Sequence, residues 1–82
     1  MKPLTDHQRV MLRTALASGC MTGGRYGWNT AHVRALAARG LVVLVREATW
    51  DSVWKLTDAG RAAAQESLAA YRAAIAAKEN NG

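Results

Sequence analysis

The fold is decided by residues 30–46, which read TAHVRALAARGLVVLVR and pass from a helical pattern through one glycine into a β-branched run. Apolar side chains in the first part recur at helical spacing and predict a helix over residues 30–39. The core-facing residues of this helix are Val33, Leu36 and Ala37. Asn29 or Thr30 is expected to cap the helix, and Gly40 is expected to end it.

A β-hairpin is predicted directly after this helix. Residues 41–46 are β-branched, residues 47–51 have the composition of a turn, and residues 52–56 return as a second strand. Alternation along the strands leads us to expect three side chains that close the core beneath the hairpin: Val43, Val45 and Trp54. Arg46 and Lys55 are expected to face solvent.

Two further helices flank this unit. Thr5-Asp6-His7-Gln8 has the pattern of a capping box and begins a first helix that is expected to end at Gly19. Thr57 is expected to cap a last helix that runs to about Glu79, a rod of roughly 33 Å. Residues 18–28 are rich in glycine, which predicts a loop with at most a single turn or a short strand.

The elements therefore follow in the order helix, glycine-rich loop, helix, hairpin and long helix. This order predicts an α+β fold, mainly α: a winged helix with a two-stranded β-hairpin wing and a long C-terminal helix. We assign residues 1–66 to a winged-helix domain with a reduced second helix. Residues 67–82 are assigned to a C-terminal helical extension, a candidate dimerisation segment.

The charge of the chain is concentrated in its first half. Residues 1–50 hold seven Lys or Arg against two acids, whereas residues 51–82 hold four against four. The net charge of +5 therefore lies wholly in the first half. Such a basic half favours a polyanionic partner, most simply nucleic acid, although solubility alone also accounts for it.

Other protein classes are disfavoured by what the sequence lacks. The lone Cys20 cannot form an internal disulfide, which fits a reducing cytoplasm. No apolar run reaches the roughly 18 residues of a membrane span, and the start lacks the apolar stretch of a signal peptide. His7, Cys20 and His32 lack zinc spacing, and no serine has a histidine placed by pattern. We therefore expect neither catalysis nor a metal or cofactor.

Three stretches carry a family resemblance: LTDHQ at 4–8, VRALAARGLV at 33–42 and WKLTDAGR at 54–61. In this order they resemble the winged helix-turn-helix family of bacterial and phage transcriptional regulators, in particular its MarR-like members. The resemblance covers about residues 4–66 and implies a small DNA-binding regulator. Two features depart from the family pattern. The helix before the recognition helix is missing or reduced to residues 20–28, and Asp51-Ser52-Val53 stands where the family often has Asp-x-Arg.

The resemblance implies that the helix at residues 30–39 enters the major groove of double-stranded DNA. The residues expected at base edges are Asn29, Thr30, His32 and Arg34. Those expected beside phosphates are Arg25, Arg39, Arg46 and Lys55. Trp50, at the wing tip, is expected to anchor on DNA sugar or on a protein partner. Structural roles stay open for several of them: a solvated surface for Arg34 and Arg39, capping for Asn29 and Thr30, packing for His32, and folding back on the hairpin for Trp50.

The last helix carries a heptad-like seam with alternating spacings of three and four residues. Its members are Arg61, Ala64, Leu68, Tyr71, Ile75 and Lys78. The seam predicts a homodimer through the C-terminal helix, with Leu68, Tyr71 and Ile75 at the contact. The alternative is that Leu68 and Tyr71 pack back on the first helix.

A second function from another class also stays open. The chain would then be a non-enzymatic adaptor or inhibitor, for example a phage protein that blocks a host machine. The reduced helix-turn-helix, an alanine-rich helix face and Trp50 favour this interpretation, because a flat apolar strip flanked by arginine suits a protein helix.

Overall fold

The secondary structure follows the predicted order, with one strand added. A computed structural model describes residues 3–25, 27–47 and 51–80 of the chain. Within these ranges the elements are α1 (Asp6–Ser18), β1 (Met21–Gly24), α2 (Thr30–Ala38), β2 (Val42–Arg46), β3 (Asp51–Leu56) and α3 (Asp58–Asn80). The α+β, mainly helical class is thereby confirmed.

The helix ends lie where the sequence provides caps. Thr5 Oγ1 accepts a hydrogen bond from the backbone N–H of Gln8 at 3.1 Å, and the Thr5 N–H donates to Gln8 Oε1 at 3.0 Å. This reciprocal pair is the predicted capping box of α1. α1 ends at Gly19, which has a left-handed φ of 87°. For α2, the cap is Asn29, whose Oδ1 accepts from the N–H of Ala31 at 2.9 Å.

The sheet has three antiparallel strands in the order β1-β3-β2, and not only the two strands of the hairpin. The added strand comes from the glycine-rich stretch and pairs with β3 from Met21↔Trp54 to Gly24↔Asp51. An edge strand needs only one partner, so few strong strand formers are required. Met21 anchors the strand because its side chain is almost wholly buried in the core.

The side of the hairpin that closes the core differs from the prediction. Val43 and Val45 are 51% and 53% exposed, whereas Val42 is 3% exposed. Val42 lies opposite Leu56 and therefore shares the core face with Leu56 and Trp54. The prediction was wrong by one position for β2, because a shift of one residue turns each side chain to the other face. Trp54 is confirmed as partly buried against the core.

One buried cluster joins all the layers of the molecule. Its fully buried members are Met11, Leu12, Ala15, Met21, Val33, Leu36, Val42 and Ala64. Val33 and Leu36 are the predicted inner face of α2, and Ala37 packs against the cluster from its edge. Trp28, just before α2, also packs partly buried against the cluster. The core therefore fixes which face of α2 remains outside.

A compact joint links the turn after α2 to the start of α3. Thr57 Oγ1 donates to the carbonyl oxygen of Gly40 at 2.6 Å and accepts from the N–H of Gly60 at 3.0 Å. The Thr57 N–H donates to the carbonyl oxygen of Leu41 at 3.1 Å. Gly60 is buried there, and a Cβ on it would overlap that Leu41 oxygen. The Thr-x-x-Gly spacing at residues 57–60 is thus explained by close contact between two backbone segments.

None of the helices within the described ranges is both long and apolar enough to cross a membrane.

Candidate nucleic-acid interface

α2 presents a polar and alanine-rich face to solvent. Its exposed residues are Ala31, His32, Arg34, Ala35 and Ala38. Val33 and Leu36 lie on the opposite side and are fully buried. Because alanine side chains are short, this face allows another molecule to approach the helix closely.

Arg34 is the most available cation on this face. Its side chain is exposed. Among residues 3–25, 27–47 and 51–80, Arg34 forms no ion pair with an acid, in contrast to Arg9, which lies 3.3 Å from Asp6. No carboxylate of the described residues therefore engages its five N–H donors.

Two other predicted residues of α2 have partners on α1. Arg39 is half-buried, and its Nη1 donates to Gln8 Oε1 at 3.3 Å. His32 Nδ1 and His7 Nε2 share a hydrogen bond of 3.1 Å. These bonds hold α2 against the first turn of α1, so an outside ligand of either side chain has to compete with an existing contact.

The two residues at the start of α2 differ in their roles. Asn29 is exposed, and its Oδ1 is engaged in the helix cap, which is the structural role that the sequence left open. Thr30 is the first residue of the helix and is half-buried. A base contact by Asn29 therefore has to use its amide nitrogen or displace the cap.

Two of the predicted cations of the sheet, Arg25 and Arg46, lie at the same end of it. Arg25 directly follows β1 where Gly24 pairs with Asp51, and Arg46 is the last residue of β2. Both therefore lie toward the tip of the hairpin and both are exposed. Trp28 ties the segment leading into α2 to this strand, because its N–H donates to the carbonyl oxygen of Thr22 at 2.8 Å. The start of α2 thus lies near the Gly24 end of β1, at the end of the sheet where β2 ends and β3 begins.

Lys55 belongs to a different surface. It is exposed and lines a pocket of about 400 Å³ together with Arg61 and the end of α1. Arg61 was not among the predicted site residues, since its sequence position placed it in the helical seam. The link between the two cations comes from the meeting of β3 and α3, which no local pattern reports. Trp50 lies outside the described residues.

The predicted dimerisation seam is used partly within the chain. Ala64 is fully buried in the core and Leu68 is half-buried. The guanidinium of Arg13, on α1, lies 4.6 Å from the centre of the Tyr71 ring, and its Nη1 donates to Ser67 Oγ at 3.2 Å. Tyr71 and Ile75 nevertheless remain 50% and 39% exposed. The exposed part of the seam therefore begins at Tyr71.

No family model, no curated protein and no solved structure matches this chain.

Proposed function

We propose that this chain is a winged-helix protein that binds double-stranded DNA, a small transcriptional regulator of bacterial or phage origin, with α2 as its recognition helix. The observation that carries the proposal is the exposed face of α2, where Arg34 lies among alanines and forms no ion pair with any acid that the structure describes. The uneven charge of the sequence supports it, because the excess of cations lies in the half of the chain that contains this helix.

The chemistry of the face suits a duplex. Arg34 can donate two hydrogen bonds to the O6 and N7 atoms of guanine, and the alanine methyls can contact thymine methyls. Arg25 and Arg46 are exposed at the same end of the molecule as the start of α2, and in this proposal they contact phosphates beside the recognition helix. Phosphate contacts supply affinity and register, whereas Arg34 supplies the base preference.

The test is a titration of the chain into a random duplex at two salt concentrations. If about three phosphates are neutralised per chain, the slope of log K against log salt is about −2.7, and affinity falls about 40-fold between 50 and 200 mM salt. Fluorescence anisotropy of a labelled duplex measures both affinities. If the chain does not bind the duplex at 50 mM salt, the proposal is contradicted.

The proposal includes a homodimer through the far end of α3. Residues 71–79 are all exposed, and an isolated alanine-rich helix of this length is marginal in water. A second copy would cover Tyr71 and Ile75, and it would place two α2 helices on two half-sites.

Light scattering at micromolar concentration tests this arrangement. We expect a mass of about twice 8.8 kDa for the parent chain, and Ile75→Glu should bring it to the monomer value because it buries a carboxylate at the contact. Ala62→Glu, on an exposed position nearer the core, is the matched control and should remain dimeric. A parent chain that is monomeric at every concentration contradicts the arrangement.

The alternative function is a non-enzymatic adaptor or inhibitor. The exposed alanines of α2 favour it, because the same strip that admits a DNA groove also fits a partner helix. This alternative is supported if the chain does not bind duplex at low salt and a pull-down with the chain recovers one protein in stoichiometric amount. Strong, salt-dependent duplex binding with no such protein would select the regulator.

A further inference from the structure

Two imidazoles from different helices meet at the outer edge of α2. His7 lies in the first turn of α1 and His32 in the first half of α2, and both are exposed. Their facing nitrogens, Nε2 of His7 and Nδ1 of His32, are 3.1 Å apart, and the two rings are inclined by 70°. In this hydrogen bond one nitrogen donates its proton and the other offers its lone pair.

The same separation is close to that of two nitrogen ligands on one metal ion. Zinc binds histidine nitrogen at about 2.0–2.1 Å, and a tetrahedral angle between two such bonds puts the nitrogens about 3.3 Å apart. The observed pair has to open by about 0.2 Å, and both rings have to turn so that their lone pairs point at the ion. A tautomer shift that moves the donor ring's proton to its other nitrogen leaves a lone pair on each of the two facing nitrogens.

The His7 ring also contacts an aromatic side chain, although His7 is exposed. Its ring centre lies 5.5 Å from that of Trp28, in an edge-on arrangement at 79°. His32 is held on the short helix that Val33 and Leu36 anchor in the core. A metal ion would therefore meet two ligands that need little reordering, which reduces the entropy lost on binding.

We propose that His7 and His32 form a site for a divalent transition-metal ion of the zinc class that bridges α1 and α2. Imidazole nitrogen selects zinc, copper and nickel rather than magnesium or calcium, which prefer oxygen ligands. The described ranges hold no group of three or more His, Cys, Asp or Glu side chains with metal-site geometry, so solvent completes the coordination. Local sequence spacing could not reveal this pair, because its members are 25 residues apart and on separate helices.

The test is calorimetric titration of zinc chloride into the chain alone, prepared without a histidine tag. We expect one zinc ion per chain and a melting temperature that rises with zinc concentration, since an ion that binds only the folded state stabilises it. His7→Gln and His32→Gln should each weaken zinc binding at least about tenfold, because each removes one of two protein ligands. Glutamine keeps a hydrogen-bonding side chain at each position, so the variants separate metal binding from the hydrogen bond.

Two further variants serve as controls, and DNA is absent from every measurement. Cys20→Ser removes the free thiol, and Arg34→Ala changes the same face of α2, so both should bind zinc like the parent. Zinc binding that survives in His32→Gln, or that disappears with Cys20→Ser, overturns the assignment. A parent chain that shows neither binding heat nor a shift in melting temperature also overturns it. Loss of zinc binding and loss of duplex binding are thereby distinguished.

Discussion

Gly60→Ala should lower the free energy of unfolding by about 1–3 kcal/mol, although the same change stabilises most helices. In an ordinary helix, alanine is favoured over glycine by roughly 1 kcal/mol. The sign is reversed here because the new Cβ overlaps the carbonyl oxygen of Leu41, which is backbone and cannot rotate away. Relief requires α3 to move, and such movement breaks the hydrogen bonds from Thr57 to Gly40 and Leu41.

Urea unfolding followed by circular dichroism measures the loss of free energy of unfolding. In thermal unfolding, the melting temperature should fall by about 4–8 °C for each kcal/mol in a domain of this size. Gly19→Ala is the matched control, because a Cβ there meets nothing within 4 Å and only the left-handed φ opposes it. We expect a loss of about 1 kcal/mol for that control. A Gly60→Ala variant as stable as the parent would show that α3 does not press on Leu41.

Arg34→Glu should abolish most of the proposed DNA binding. The change would remove the proposed bidentate guanine contact, which is worth about 1–3 kcal/mol of discrimination, and would bring a carboxylate against phosphates. Arg46→Glu should instead weaken binding to all sequences alike and reduce the salt slope by about 1. The two variants thus separate base reading from phosphate contact, and competition between random and selected duplexes measures both.

Arg72→Glu is the matched control for both substitutions. It makes the same change of charge at an exposed position on the far part of α3, away from α2. If only the long-range attraction between the net charge of the chain and DNA mattered, all three variants would lose the same DNA affinity. If Arg72→Glu loses as much affinity as Arg34→Glu, then binding depends on net charge and the face of α2 has no special role.

The sequence was most informative where one local interaction decides the structure. The capping box at Thr5 and the stop at Gly19 place α1 within one residue of the expected bounds. The apolar spacing of α2 likewise identifies Val33 and Leu36 as its buried face. Each of these features depends on hydrogen bonds or periodicity within about four residues, so residues close in the sequence are sufficient to predict it.

The errors arose where distant segments decide the structure. For residues 18–28 the sequence left a loop, a single turn or a short strand open, and β1 forms there because β3 offers an edge for pairing. The first four side chains of β2, at residues 42–45, all have similar apolar character, so their alternation could not show that Val42 rather than Val43 is buried. The irregularity between Leu44 and Arg46 complicates that register further.

The candidate interface shows the same division between local and distant information. Arg34 could be predicted as exposed from helical periodicity alone. The bond from Arg39 to Gln8 and the pairing of His7 with His32 could not, since each joins α1 to α2 across more than 20 residues. The position of Lys55 beside Arg61 likewise follows only from the tertiary packing of β3 and α3.

The Thr57 joint has a consequence for half-site spacing. The turn that leaves α2 and the first turn of α3 are bonded to one threonine, so the direction of one helix sets the direction of the other. α3 has 23 residues and spans about 34 Å, close to one helical turn of a DNA duplex. In a dimer joined at the far ends of α3, the length and direction of these helices would determine the separation between the two operator half-sites.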